Sequence, residues 1–400
     1  MFRSLFFVLA LTGLLLGCST SPSPVKPPVQ LKSIKNEFGV KKLWTAKAGD
    51  GASDNYLRLT PILNGEIMYF IDHDGTVEAY NFIKQSALWS YETNAPIGSP
   101  LTLDKGILYF GTSKAEVYAI DANVGTLIWN SKVGSEVIAA PAVAKGYVVA
   151  RCVNGEIYTL KSDTGKKVWS NRQLTPSLTL RGTSSPVITN DLVLSAYDNG
   201  KLIAFNLQSG NILWQRKISV ARGRTTLERL VDIDSDIVVV DDVIYTVAFQ
   251  GKLAALQMGS GQIIWSREID SYVGMAIDPY RIYLTDSNSQ IWALDKSNGA
   301  TLWKQDAVLR RDVTRPQLHS NYIVVGDFNG FIHWFRRDNG KLAARVRLDA
   351  FDYTSPGLDE EEDLDFPKAN NILVTPMASG KTVIAVDRHG NTEAFEVSYP

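Results

Sequence analysis

The residues that most often carry out chemistry are sparse in this 400-residue chain and lie at unrelated spacings. The histidines and the cysteine farther from the N-terminus are His73, His319, His333, His389 and Cys152. A zinc site needs Cys, His or carboxylate ligands in close pairs, and these residues form no such cluster in the sequence. The nucleophile motif G-x-S-x-G and the glycine-rich nucleotide-binding motifs are also absent in a suitable context. The sequence therefore predicts no catalytic residue, no metal site and no bound cofactor.

The other cysteine, Cys18, follows a segment with the features of an export signal. Arg3 precedes a mostly apolar run, Leu5 to Leu16, which is too short to span a membrane comfortably. The run ends in Leu-Leu-Gly-Cys, which resembles the lipobox of bacterial lipoproteins. That resemblance implies removal of residues 1–17, acylation of Cys18 (palmitate) and, because Ser19 follows, an outer-membrane location. A plain secretory signal with a chance cysteine is the alternative.

Residues 18–37 are rich in Pro and Ser and predict a tether between the acylated cysteine and a folded domain, residues 38–400. Pro-rich chain extends by about 3.1 Å per residue, so the tether would reach ~55 Å at most. Basic and acidic residues number 41 and 42, a balance without the basic excess typical of nucleic-acid binding. We therefore expect membrane attachment through lipid and no nucleic-acid partner.

A repeat of roughly 43 residues organises the folded domain. One landmark is a turn that contains glycine, followed by a strand that contains tryptophan, as in Ala119–Trp129. We call the latter a Trp strand. The second is a hairpin turn of the Asn-Gly type, whose residues readily take positive φ. Its eight copies begin at Asp74, Lys114, Asn154, Asn199, Gln250, Asn288, Asn329 and His389. Eight units of four antiparallel strands predict an all-β fold, an eight-bladed β-propeller.

The two ends of the chain predict how the ring closes. The eighth unit has no Trp strand, because the chain ends at Pro400, while an unmatched strand with Trp44 lies near the N-terminus. We infer that this N-terminal strand completes the last blade, because an open ring would leave unpaired strand edges. The repeated tryptophans then pack between blades and contribute to structure.

Positions that interrupt the repeat are the candidates for function. The spacing lengthens between Trp169 and Trp214 and again between Trp214 and Trp265, in adjacent blades. The added residues combine apolar and charged side chains and predict a protein-docking patch on one face. Ordinary loop variation is the alternative. An acidic run, Asp359–Asp365, lies between the last two blades, where a solvated loop, a basic partner or a divalent cation are all open interpretations.

The repeat in Lys161–Trp169, with its Asp-Thr-Gly turn and Trp, resembles the quinoprotein propeller repeat. Two families carry it. Pyrroloquinoline-quinone dehydrogenases are much longer and typically have a vicinal Cys pair, whereas this folded domain contains only Cys152. The BamB family of outer-membrane assembly lipoproteins resembles the whole chain, from the lipobox and tether to the eight repeats and two inserts.

Resemblance to the BamB family implies a non-enzymatic scaffold in the β-barrel assembly machinery. Its partners would be BamA, other Bam-complex subunits and, through the lipid, the membrane, with unfolded outer-membrane proteins as a further client. A quinone-dependent dehydrogenase and a cell-wall-binding lipoprotein are the alternatives. The residues that the resemblance places against a POTRA domain of BamA are Leu178, Leu180, Arg181, Asp232 and Asp234.

Overall fold

The chain is built from β-strands. The parts that a computed structural model describes are residues 26–47, 49–52, 57–175, 184–219, 232–349 and 371–399. Every regular element in these parts is a strand, and none is a helix that could span a membrane. The alternation of apolar and polar residues favours this outcome, because successive side chains of a strand point to opposite faces.

Thirty-two strands occur in the described part of the chain. From Ile62 onward they follow in groups, and the first strand of each group has three residues. In chain order the strands are β1 (Gly39–Lys47), β2 (Ile62–Asn64), β3 (Ile67–Ile71), β4 (Thr76–Asn81), β5 (Ser86–Glu92), β6 (Thr102–Asp104), β7 (Ile107–Gly111), β8 (Glu116–Asp121), β9 (Leu127–Lys132), β10 (Ala142–Ala144), β11 (Tyr147–Arg151), β12 (Glu156–Lys161), β13 (Lys167–Arg172), β14 (Val187–Thr189), β15 (Leu192–Ala196), β16 (Lys201–Asn206), β17 (Ile212–Lys217), β18 (Val238–Val240), β19 (Val243–Val247), β20 (Leu253–Gln257), β21 (Ile263–Arg267), β22 (Met275–Ile277), β23 (Arg281–Thr285), β24 (Ile291–Asp295), β25 (Thr301–Gln305), β26 (Gln317–His319), β27 (Tyr322–Gly326), β28 (Phe331–Arg336), β29 (Leu342–Arg347), β30 (Met377–Ser379), β31 (Thr382–Val386) and β32 (Asn391–Ser398).

These strands form eight four-stranded antiparallel sheets, the blades of a propeller. Blade 1 contains β2–β5, and each following blade takes the next four strands, as far as β26–β29 in blade 7. Blade 8 combines β30, β31 and β32 with β1, in which Trp44 pairs with Ala394 and Lys47 with Asn391. The predicted eight-bladed propeller and its closure by the N-terminal strand are confirmed.

The strand order defines two faces of the ring. The first strand of each blade is its inner strand and the fourth is its outer strand. Inner strands of neighbouring blades lie against each other, as where the Thr102 hydroxyl donates to the Pro141 carbonyl at 2.6 Å. Because consecutive strands are antiparallel, the turn between second and third strands shares one face with the connection from an outer strand to the next inner strand. We call this the insert face, because the lengthened connections 173–186 and 218–237 begin and end there. The other two turns of each blade lie on the opposite face.

The repeated tryptophans join neighbouring blades. On β25, Trp303 donates its indole N–H to the Arg337 carbonyl of blade 7 at 3.0 Å. In the same turn Gly340 has a φ of +73°, and a Cβ there would lie 2.5 Å from the Trp303 ring. Glycine therefore serves both the turn conformation and the close approach of the ring. The same bond links Trp89, Trp129, Trp169, Trp214 and Trp265 to the carbonyls of Ala122, Ser162, Leu207, Met258 and Lys296.

The two weakest copies of this contact lie where the ring closes. Blade 8 has no turn between its third and outer strands, because β32 and β1 are the two ends of the chain. The facing position in blade 7 is a buried alanine, Ala344, and Phe38 packs nearby against Tyr399 with ring centroids 5.1 Å apart. In blade 1 the corresponding turn lacks glycine, and Trp44 stacks on Phe82 at 6.0 Å. Both departures from the repeat thus lie next to blade 8, where the two ends of the chain meet.

Candidate functional site

The two inserts begin and end on the insert face in adjacent blades. The first joins β13 of blade 3 to β14 of blade 4, and the second joins β17 of blade 4 to β18 of blade 5. The connection that contains the acidic run joins β29 of blade 7 to β30 of blade 8 and has its ends on the same face. The sites predicted from sequence that lie outside the described residues are Cys18, Leu178, Leu180, Arg181 and Asp359–Asp365.

Two of the predicted docking residues belong to the described end of the second insert. Ile233 is fully buried among apolar residues of blades 4 and 5 and holds this segment in place. Beside it, Asp232 is also fully buried, and its backbone carbonyl accepts the Phe249 N–H at 2.8 Å. The partly exposed Asp234 has no hydrogen-bond partner for Oδ1 within the described ranges. Asp234 is thus the more exposed member of this pair, although its Oδ1 atom is buried.

A buried charged cluster lies at the insert face of blades 3 to 5. Arg151, at the end of β11, forms an ion pair with Asp198, which follows β15, and both side chains are only 3% exposed. The Arg151 guanidinium lies 5.2 Å from the centroid of the Tyr197 ring. Burial raises the pKa of Tyr197 to about 12, so its hydroxyl stays protonated. Burial, together with the carboxylates of Asp232 and Asp198, raises the pKa of Asp234 to about 7.

No sequence pattern predicts this cluster. The signal that could have revealed it is a charged residue at the last position of a second strand, where Arg151 stands. The other blades have uncharged residues there, namely Ile71, Gly111, Ala196, Val247, Thr285, Gly326 and Val386. A buried guanidinium needs a paired carboxylate, so this single departure from the repeat implies a partner on a neighbouring blade.

Side chains from non-neighbouring blades meet across the centre of the insert face. Before β2 of blade 1, Arg58 donates to the Tyr272 carbonyl at 3.0 Å and lies 5.5 Å from the centroid of its ring. Arg315, which precedes β26 of blade 7, pairs with Asp236, which precedes β18 of blade 5, at 3.5 Å. These blades are not adjacent in an eight-membered ring, so the contacts cross its central opening. These contacts connect the segments that precede the inner strands, so that the segments form one continuous surface.

The described residues contain no group of three or more His, Cys, Asp or Glu that could hold a metal ion. Cys152 is buried, and burial raises the pKa of its thiol to about 11. A thiol with such a pKa carries little of the reactive thiolate at neutral pH. Cys152 is therefore a small core residue.

A closed ring of eight four-stranded blades defines the class of the protein, a β-propeller, and its lengthened connections lie on one face. Comparison with known proteins gives the particular family. The family model described as "Outer membrane protein assembly factor BamB" matches residues 73–305. The chain belongs to this family, in agreement with the resemblance noted in its repeats.

Individual relatives agree over most of their length. The chain is 40% identical over 343 residues to outer membrane protein assembly factor BamB of Pseudomonas aeruginosa, covering 86% of this chain and 90% of the relative. It is 38% identical over 349 residues to the protein of the same name from Escherichia coli strain K12, with coverage of 84% and 89%. For the Kangiella koreensis protein the identity is 37% over 394 residues, with coverage of 98% and 96%.

Solved structures share the fold at low sequence identity. BamB from Moraxella catarrhalis superposes with a TM-score of 0.76 at 20% identity, over 90% of this chain and all of the other. Quinohemoprotein alcohol dehydrogenase from Comamonas testosteroni has a TM-score of 0.69 at 12% identity, covering 90% of this chain and 77% of the enzyme. The propeller is therefore common to assembly factors and dehydrogenases. The sequence relatives carry the name of an assembly factor, which favours the scaffold over the dehydrogenase alternative.

Proposed function

We propose that this chain is a non-catalytic scaffold subunit of the machinery that assembles β-barrel proteins in the outer membrane. The observation that carries the proposal is its family membership, with relatives named as assembly factors matching 84% to 98% of the chain. In this proposal acyl chains on Cys18 hold the propeller on the periplasmic side of the membrane. BamA is the docking partner, through one of its POTRA domains, and other Bam subunits and unfolded barrel proteins join it.

The insert face is the surface that we assign to BamA. Support comes from the ends of both inserts, which lie in adjacent blades, and from contacts across the ring that hold this face together. We assign direct contact to Leu178, Leu180, Arg181 and Asp234. Asp232 is fully buried, so its part in docking is to hold the second insert in position rather than to touch the partner.

The test is affinity purification of the lipidated protein from cell envelopes, followed by quantification of co-purified BamA. Arg181→Glu and Asp234→Lys should each lower the BamA yield at least tenfold, because reversed charges at a docking surface cost several kcal/mol. Thermal melting of each variant checks that the fold is intact. Lys166→Glu is the matched control, since Lys166 is exposed on the opposite face of blade 3.

Wild-type BamA yields from Arg181→Glu and Asp234→Lys would contradict the assignment of the insert face. If wild-type protein recovers no BamA but sediments with sacculi, the cell-wall alternative replaces the scaffold. Addition of pyrroloquinoline quinone with calcium should leave the absorbance spectrum of the quinone unchanged. A shifted spectrum with dye reduction on an alcohol or sugar would restore the dehydrogenase alternative.

A further inference from the structure

Residues 26–37, which lie within the sequence-predicted tether, run along the side of blade 7. The contact begins on the insert face, where the Val29 N–H donates to the Leu309 carbonyl at 3.1 Å. Arg310 Nε donates to the Pro27 carbonyl at 2.7 Å, and Arg311 Nη1 to the Val29 carbonyl at 3.3 Å. These partners lie in the connection before β26, so the start of the described segment is fixed at the insert face.

The same segment then follows the outer strand β29 to the opposite face. Arg345 Nη1 donates to the Lys32 carbonyl at 2.9 Å. Asn36 forms two bonds with the backbone of Arg345, from its side-chain amide at 3.1 Å and to its carboxamide oxygen at 3.0 Å. The Glu37 N–H donates to the Ala343 carbonyl at 2.9 Å. Hydrogen bonds thus hold the segment from one face of blade 7 to the other.

Two of the arginines that hold the segment are themselves held by a buried network. Asp327 Oδ2 accepts from Arg311 Nε at 2.7 Å and from His333 Nε2 at 3.0 Å. The other ring nitrogen, His333 Nδ1, accepts from Arg345 Nε at 3.1 Å. Asp327 and His333 are fully buried, and Asp327 Oδ1 also accepts the backbone N–H of Phe331. The core of blade 7 therefore holds both guanidinium groups in place, so this site is preorganised to bind the segment.

Docking of residues 26–37 shortens the chain that can move between the anchor and the propeller. Only seven residues lie between Cys18 and Lys26, and the eight steps from one to the other span at most ~30 Å when fully extended. They leave from the insert face. The opposite face is farther from the start of the docked segment than the insert face is. The difference is the height of a blade, ~20 Å for a strand of six residues. A free tether would allow either face to approach the membrane, whereas this docked one favours the insert face.

We propose, building on the lipid anchor of the proposed function, that residues 26–37 are a brace that turns the insert face toward the membrane surface. The partner that binds the insert face then meets it between the propeller and the bilayer. This arrangement assigns blade 7 a role of its own, as the intramolecular docking site of the anchor segment. It also explains why Arg311 and Arg345 converge on a buried Asp–His pair next to an outer strand.

The experiment measures distance from the bilayer at two positions of one blade. Asp74→Cys and Ile83→Cys introduce labelling sites at exposed positions on the insert face and the opposite face of blade 1. Full-length lipidated protein is labelled with a donor fluorophore and bound to phosphatidylcholine–phosphatidylglycerol vesicles that contain an acceptor lipid. The donor at position 74 should lie ~20 Å closer to the acceptor plane than the donor at position 83.

Release of the brace should remove this difference. Asn36→Ala deletes two bonds from the segment without changing the propeller core, and Arg345→Ala removes the guanidinium that holds Lys32. In both variants tryptic cleavage after Lys32 should accelerate, and energy transfer at the two labels should converge. The Asn36 variant keeps the test valid if the Arg345 variant melts early.

The possible failures are distinguishable. Protein that does not float with vesicles would refute the proposed lipid anchor, and with it the proposed orientation of the insert face. Protein that floats but gives equal transfer at both labels, or greater transfer at position 83, would overturn the brace and leave the scaffold function standing. Unchanged cleavage after Lys32 in both variants would likewise refute docking of the segment.

Discussion

Replacing Asp234 by Asn should stabilise the folded protein at neutral and higher pH. Burial, followed by the neighbouring carboxylates of Asp232 and Asp198, raises the pKa of Asp234 from 3.8 to about 7. Between these values the folded state retains a proton that the unfolded chain has released, so folding stability falls as pH rises through this window. A rise in the pKa from 3.8 to about 7 corresponds to ~4 kcal/mol in the free energy of unfolding. Because Asp234 is partly exposed, we expect a gain of ~1–2 kcal/mol from Asp234→Asn at pH 8.

Urea denaturation at pH 5 and pH 8 measures this effect. The advantage of Asp234→Asn over wild type should be clear at pH 8 and much smaller at pH 5, where the folded carboxyl is already largely protonated. Asp163→Asn is the control, because Asp163 is exposed in a turn on the opposite face and should change stability little at either pH. An equal effect at both pH values, or a loss of stability at pH 8, would refute the role of burial and carboxylate repulsion.

Two further predictions concern the core. Gly340→Ala should lower the free energy of unfolding in urea by ~2–4 kcal/mol, because the new Cβ would meet the Trp303 ring. Gly146→Ala, which has a similar positive φ but open space around the Cβ, should cost only ~1 kcal/mol, and equal costs would contradict the steric argument. Cys152 should resist iodoacetamide at pH 8 until urea unfolds the protein, because its pKa is raised to about 11. Rapid modification of the native protein, followed by mass spectrometry, would show that this thiol is accessible.

The architecture could be predicted because its signals are local and repeated. Each hairpin turn and each Gly–Trp pair identifies its own strands, and eight copies leave little ambiguity about the ring. The closing strand around Trp44 followed from counting, since this N-terminal strand belonged to no unit and the last unit had no fourth strand. The contact between Trp303 and Gly340 was only implicit, because the two residues belong to different blades.

The charged site at the insert face was harder to predict because its members are far apart in the chain. Arg151 and Asp198 are separated by 47 positions, and Arg58 meets Tyr272 across 214 positions. Neither pair has a spacing that a motif could encode. Asp232 illustrates the same limit. A charged residue in an insert is expected at the surface, whereas Asp232 is fully buried beside Ile233.

The sequence by itself determined the number of blades, the closure of the ring and the connections that depart from the repeat, and it predicts an export signal. These follow from local preferences of turns and strands and from covalent order. Only the tertiary structure decided which charges are buried together, which blades are joined across the centre and where residues 26–37 lie. The physical reason is that burial and pairing depend on how blades pack, and packing brings together residues that no local pattern relates.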